Sequence, residues 1–168
     1  SPRDWATCVN LLQSPESVAG HYRVPLWSNE HFRLMEKSFA LMGLLGNNVL
    51  AHVPDINDFV AGLARLLKPQ GVVTMEFPHL LRLMTENQFD TIYHEHFSYF
   101  SFTTVIQIFS HHGLEIFDVE ELPTHGGSLR IFAHHDEDHS RVVTENVKDL
   151  LEREESDGFQ SLALYLAF

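Results

Sequence analysis

Apolar residues change their spacing repeatedly along this chain, and the changes mark its elements. From Leu41 to Val53 the sequence is largely apolar and bounded by turn residues, which predicts a buried strand near 44–49. Pro54-Asp55-Ile56-Asn57-Asp58 then reads as a helix start, with Asp55 capping free N–H groups and Asp58 adding negative charge to the first turn. Ile56, Phe59, Val60, Leu63 and Leu67 fall on one helical face. Lys68, Pro69 and Gly71 end that helix. Val72 to Phe77 is a second strand, closed by Pro78. Strand, helix and strand with short links form a parallel α/β unit.

Further on, residues 79–87 suit a short helix, and Phe89 to Phe102 is rich in aromatics and histidine with no clean period. Thr103 to His112 is helical and stops at Gly113. Leu114–Leu122 and Ser128–His134 read as strands joined by the turn Pro123-Thr124-His125-Gly126-Gly127, hence an antiparallel hairpin. Arg141 to Glu155 is an amphipathic helix that ends at Gly158. Upstream the pattern is weaker. Pro2, Pro15, Gly20 and Pro25 interrupt it, and a modest helix over Ser28–Met42 places Phe32, Met35 and Phe39 on one face. The order predicts an α/β fold: the second half of a doubly wound sheet with an antiparallel edge hairpin. Phe32, Phe59 and Phe109 are expected in the core.

Composition narrows the classes. A chain of 168 residues, 44% hydrophobic and 20% charged, suffices for one domain with a real core. No apolar run is long enough to span a membrane, and Ser1-Pro2-Arg3-Asp4 does not open a signal peptide. The single cysteine, Cys8, excludes an internal disulfide and a cysteine metal cluster, and a cytoplasmic location is expected. The net charge of −12 argues against a nucleic-acid partner, which needs a basic face. An anionic substrate has to be held by local groups.

In open α/β sheets, ligands sit outside the carboxyl ends of the strands. Three segments reach such places: Gly46-Asn47-Asn48-Val49-Leu50-Ala51-His52, Glu76-Phe77-Pro78-His79, and Tyr93-His94-Glu95-His96. The last is chemically dense. Histidine takes a proton near neutral pH, a carboxylate orients its ring, and a tyrosine hydroxyl donates to a developing oxyanion. Proton removal beside a carbonyl requires these parts. A competing reading makes His94 and His96 metal ligands, with His52 or Glu95 as a third, in a metal-dependent hydrolase. His111 and His112 suit the negative end of a helix dipole. The tract His134-His135-Asp136-Glu137-Asp138-His139 reads as a solvated loop.

Five stretches together resemble a known family: Asn47 to Asp55, Leu67-Lys68-Pro69-Gln70-Gly71, Glu76-Phe77-Pro78, Phe89 to Tyr99 with Tyr93-His94-Glu95-His96 at its centre, and His125-Gly126-Gly127-Ser128-Leu129-Arg130. From residue 43 to 168 the chain resembles the S-adenosylmethionine-dependent sugar C-methyltransferases. Their substrates are nucleotide-linked keto-deoxysugars, methylated on a ring carbon beside the ketone. The resemblance implies a class I methyltransferase sheet, Rossmann-like in form. It implies His96 as general base, Tyr93 and Glu95 as catalytic residues beside the sugar, Asn47 and Asn48 bordering S-adenosylmethionine, and His52 with His125 near the substrate. No metal is implied in the methyl transfer itself.

It further implies a glycine-rich cofactor loop and a cysteine-rich zinc region, which residues 1–42 do not match, and a further C-terminal domain. The chain therefore reads as a fragment in three parts: an atypical segment 1–42, the half-sheet with its catalytic insertion over 43–140, and a helix over 141–168 leading into a further domain. The competing expectation is a truncated, non-catalytic remnant that does not bind S-adenosylmethionine.

Overall fold

The computed structural model describes residues 41–168. Cys8, Phe32 and most of the helix expected over 28–42 lie outside them. The last two positions of that helix belong instead to strand β1 (Leu41–Asn47). Helix α1 (Ile56–Leu66) begins where the capping signal places it, with Asp55 Oδ1 accepting from the Asp58 N–H at 3.0 Å. Its Phe59, Val60, Leu63 and Leu66 are fully buried, and they share one apolar core with Val73, Met75 and Phe77 of β2 (Leu67–Pro78). Burying a side chain such as Phe59 contributes about 1.5–3 kcal/mol.

Strand β2 lies parallel to β1, and its pairing jumps from Leu41↔Leu67 to Gly43↔Val72. The expected turn Lys68-Pro69-Gln70-Gly71 is therefore a bulge inside β2. Its physical reason is that Pro69 lacks the N–H that a regular ladder needs. At Gly46, on β1, a Cβ would lie 2.5 Å from Met75 Sδ, so the glycine leaves room for the methionine side chain as it is placed here.

Helix α2 (Leu80–Thr85) follows, then a short 3-10 turn at Phe89–Thr91, then α3 (Phe102–His111). Strands β3 (Leu114–Leu122) and β4 (Ser128–His135) form the expected hairpin. The sheet order is β1-β2-β4-β3, with β4 antiparallel to both β2 and β3. The reversed strand thus sits one place inside the edge, and β3 runs along the edge in the same direction as β1 and β2. Helix α4 (Glu145–Ser156) packs on β3 and α3, and a short α5 (Leu162–Ala167) ends the described chain. No helix among the described residues is long and apolar enough to cross a membrane.

One polar junction holds these layers together. Glu154 of α4 is fully buried and accepts from His79 Nε2–H at 2.7 Å, from the Phe102 N–H at 2.7 Å and from the Thr103 N–H at 2.8 Å. It therefore satisfies the first donors of α3 while holding the ring of a histidine at the end of β2. Burial alone would raise the Glu154 pKa, but the His79, Thr103 and Phe102 donors outweigh it and bring the carboxyl below its ordinary value.

The histidines elsewhere divide. His134 ends the expected strand, and His135, expected in the solvated tract, continues it by one residue. His134 is fully buried and donates to Glu115 at 3.2 Å, and His135 donates to the Leu67 carbonyl at 3.0 Å. His112 donates to Asn57 Oδ1 at 3.1 Å, and burial followed by the neighbouring His111 lowers its pKa. That favours the neutral ring rather than a cation facing the helix dipole.

Candidate active site

The carboxyl ends of β1 and β2 carry three connections that meet on one face. The first is the end of β1. Asn47 pairs with Glu76 across the ladder, and its side chain is exposed. Asn48 adopts a left-handed backbone (φ 54°), a conformation that asparagine tolerates better than most residues. Its N–H donates to the Glu76 carbonyl at 2.8 Å. One end of its side-chain amide lies 3.4 Å from the His125 ring, and the other, Oδ1, is buried with no partner. The chain then makes a 3-10 turn at Leu50–His52, burying Leu50 and Ala51 and leaving His52 half-exposed.

The second connection is the aromatic stretch after α2. The Ala51 carbonyl accepts from the N–H groups of Phe97 (2.8 Å) and Ser98 (3.3 Å), which pins this stretch over the 3-10 turn. His52 Nδ1–H donates to the Glu95 carbonyl at 3.0 Å. The third is the β3–β4 hairpin tip, which is pinned to the end of β2 by the His79 N–H donating to the Gly127 carbonyl at 3.0 Å. Thr124 and Arg130 both donate to Glu76, each at 3.0 Å.

His96 lies at the meeting point. Its Nδ1–H donates to the Thr91 carbonyl at 3.0 Å, and since a carbonyl only accepts, the other nitrogen, Nε2, carries the lone pair of the neutral ring. The Tyr93 hydroxyl sits 3.1 Å from that Nε2. The His96 ring is 4.3 Å from Tyr93, 4.8 Å from His52 and 5.6 Å from Tyr99, centroid to centroid. Burial lowers its pKa first. The Thr91 carbonyl and Glu95 act the other way, but His52 and His125 add to the lowering, and the net direction is down. The direction favours the neutral ring; it is half-buried, with its lone-pair nitrogen facing the Tyr93 hydroxyl.

Of the sequence-predicted residues, Tyr93, His96 and His52 are brought together directly, and His125 meets Asn48. Glu95 contributes its carbonyl to His52. Its carboxylate is exposed and makes no hydrogen bond or ion pair among the described residues. The segment Glu76–His79, expected to face a ligand, is instead structural. Glu76 holds Arg130 and Thr124, Phe77 is core and His79 is committed to Glu154. The reason is burial: both ionisable groups are removed from water and need fixed partners.

Tyr93 to His96 is a turn, closed by the His96 N–H donating to the Tyr93 carbonyl at 3.1 Å. It lacks the strand alternation that would align His94 with His96. No group of three His, Cys, Asp or Glu among the described residues is placed to hold a metal ion.

Sequence reasoning missed Thr91 and Tyr99. The contact of Thr91 is made by a backbone carbonyl, which leaves no side-chain signature; Tyr99 was quoted only as the end of a motif.

Comparisons with known proteins bear on the family of the chain. A family described as a methyltransferase domain matches residues 29–119, and one described as a C-methyltransferase C-terminal domain matches residues 123–168. The C-methyltransferase NovU of Streptomyces niveus is 41% identical over 124 residues, which are 73% of this chain and 29% of that protein. The chain therefore spans less than a third of the relative's length. Among solved structures, the magnesium protoporphyrin IX methyltransferase of Synechocystis, with S-adenosylhomocysteine bound, is 14% identical with a TM-score of 0.45, over 57% of this chain and 45% of that one. The methyltransferase CalH, also bound to S-adenosylhomocysteine, is 16% identical with a TM-score of 0.44, over 61% and 33%.

Proposed function

This chain belongs to the methyltransferase-domain family, and from that premise we propose that it carries the acid–base half of an S-adenosylmethionine-dependent C-methyltransferase acting on a nucleotide-linked keto-deoxysugar. The observation that carries the reading is His96: a neutral imidazole with Nδ1–H committed to a backbone carbonyl and Nε2 open at the carboxyl edge of the sheet.

Each residue then has a task. His96 Nε2 takes the proton from the ring carbon beside the ketone. The Tyr93 hydroxyl, resting on Nε2 at 3.1 Å, transfers its hydrogen bond to the oxygen that becomes the enolate. His52 is held by the Glu95 carbonyl and shapes the sugar side of the ring, and His125 closes the same side from the hairpin tip. Glu95 favours the protonated form of His96 once the proton has been taken.

Asn48 fits the cofactor, because a buried acceptor without a donor suits an N–H group of S-adenosylmethionine, and Asn47 borders the same place. S-adenosylmethionine supplies an electrophilic methyl group on a positively charged sulfur. The protein contributes position and proton transfer.

The test is His96→Ala in the full-length protein. Positioned general bases contribute roughly 10²–10⁴-fold, so turnover should fall by that order. Deuterium exchange from solvent into the keto-sugar should be lost, while calorimetric binding of S-adenosylmethionine persists. Unchanged exchange removes the base assignment. Absence of binding heat in the unaltered protein instead supports the non-catalytic remnant.

A further inference from the structure

The histidine centre is tied to the hairpin tip by a residue that takes no part in the chemistry. Gln88 follows α2 and is half-buried. Its side-chain amide donates to the Gly126 carbonyl at 2.7 Å and to Glu86 Oε2 at 2.8 Å. Its own backbone carbonyl accepts from the Thr91 hydroxyl at 2.8 Å and from the Thr91 N–H at 3.2 Å. The Thr91 carbonyl in turn accepts from His96 Nδ1–H.

The far end of this relay is shaped to receive it. Gly126 has φ 76°, and a Cβ built there would lie 2.7 Å from the Gln88 amide nitrogen and oxygen alike. Gly127, at φ 121°, leaves similar room for the Arg82 stem, whose Cγ would be 2.7 Å from a Cβ. The two glycines therefore do more than turn the hairpin. They let side chains from the α2 region approach its backbone more closely than any other residue would allow. Next to them stands His125, itself in the left-handed region at φ 53° and directed at Asn48.

We propose that Gln88 is a positioning residue: through Gly126 on one side and Thr91 on the other it locks the hairpin tip carrying His125 and the loop carrying His96 into one unit, and so fixes which nitrogen of His96 holds the proton. Free histidine prefers the opposite tautomer, so the arrangement must be imposed by its surroundings. The sequence offers no hint of this, because all three links end on backbone carbonyls. The proposal rests on His96 being the base.

The experiment uses Gln88→Ala, Thr91→Val and Thr91→Ser in the full-length protein, with His96→Ala alongside. Misplacement of a reacting group by about 1 Å costs up to about a hundredfold, so Gln88→Ala and Thr91→Val should lower kcat by about ten- to a hundredfold. Cofactor affinity and melting temperature should stay near those of the parent. Thr91→Ser keeps the hydroxyl and should restore kcat.

Nitrogen-15 spectra of the His96 ring at neutral pH supply a readout that a merely structural role would leave unmoved. The parent should show Nδ1 protonated, and Gln88→Ala a mixture of tautomers. If His96→Ala abolishes turnover while Gln88→Ala and Thr91→Val keep both kcat and the Nδ1–H signature, the relay is overturned and the base assignment stands. If His96→Ala keeps full turnover, the functional reading fails, and the ring spectra still decide whether Gln88 sets the tautomer.

Discussion

His79 and His96 both lie beyond the carboxyl end of β2, and they show opposite uses of the same side chain. His79 is 1% exposed and faces a carboxylate that is itself fully buried and shared with two backbone N–H groups of α3. His96 is half-exposed, is held from behind by one carbonyl, and has its Nε2 beside a tyrosine hydroxyl. Both rings are anchored through one nitrogen, and the Nδ1 of His79 is buried without a partner. His79 is sealed from solvent and does structural work, whereas the second nitrogen of His96 lies at a half-exposed place. The difference lies in burial, not in residue type or in the number of anchors.

The largest effect that separates the two is expected from Glu154→Ala. Removing one member of a buried pair costs about 3–5 kcal/mol, and here the first turn of α3 also loses its acceptors. Urea unfolding should register that loss, whereas His96→Ala should shift stability by only about 0.5 kcal/mol. Equal losses at the two positions would erase the distinction.

A smaller contrast is expected in amide hydrogen exchange. The Phe102 and Thr103 amides, bonded to buried Glu154, should open only with the whole fold. The Phe97 amide, bonded to Ala51 under an exposed loop, should exchange at least about tenfold faster.

The smallest is in pH. Burial and the neighbouring histidines hold the His96 pKa below 6.5 in the folded protein, so the unfolded chain binds the proton more readily. Its contribution to stability is therefore complete above pH 6.5 and declines as pH falls through the lowered value. The acid limb of kcat/KM should likewise lie below pH 6.5, and a limb above it would contradict the direction.

Much of the architecture was legible where a local rule governs. Asp55 caps α1 as its position requires, Phe59 and Phe109 are in the core, and Gly126-Gly127 turns the hairpin. The insertion of β4 between β2 and β3 was not legible, because strand order depends on which edges meet and not on alternation within a strand. Within the site, the chemistry of Tyr93 and His96 was visible in one short segment, whereas His52 was joined to them only through the family resemblance; the structure brings the three rings side by side. The role of Glu76–His79 was misjudged for the converse reason. Its partner Glu154 lies 75 residues from His79. Helical spacing puts that acid on the face of Val147 and Leu150, but not opposite any particular histidine.

The Glu154 junction also bears on how such chains can be recombined. One family match ends at residue 119 and the next begins at 123, which invites a crossover between them. A hybrid joined there would import a carboxylate whose four donors, on residues 79, 102 and 103, come from the other parent, and would interleave a foreign β4 against a native β2. Compatible hybrids must inherit those donors together with the acid, so the natural seam for exchange lies upstream of residue 79 rather than at the gap between the two matches.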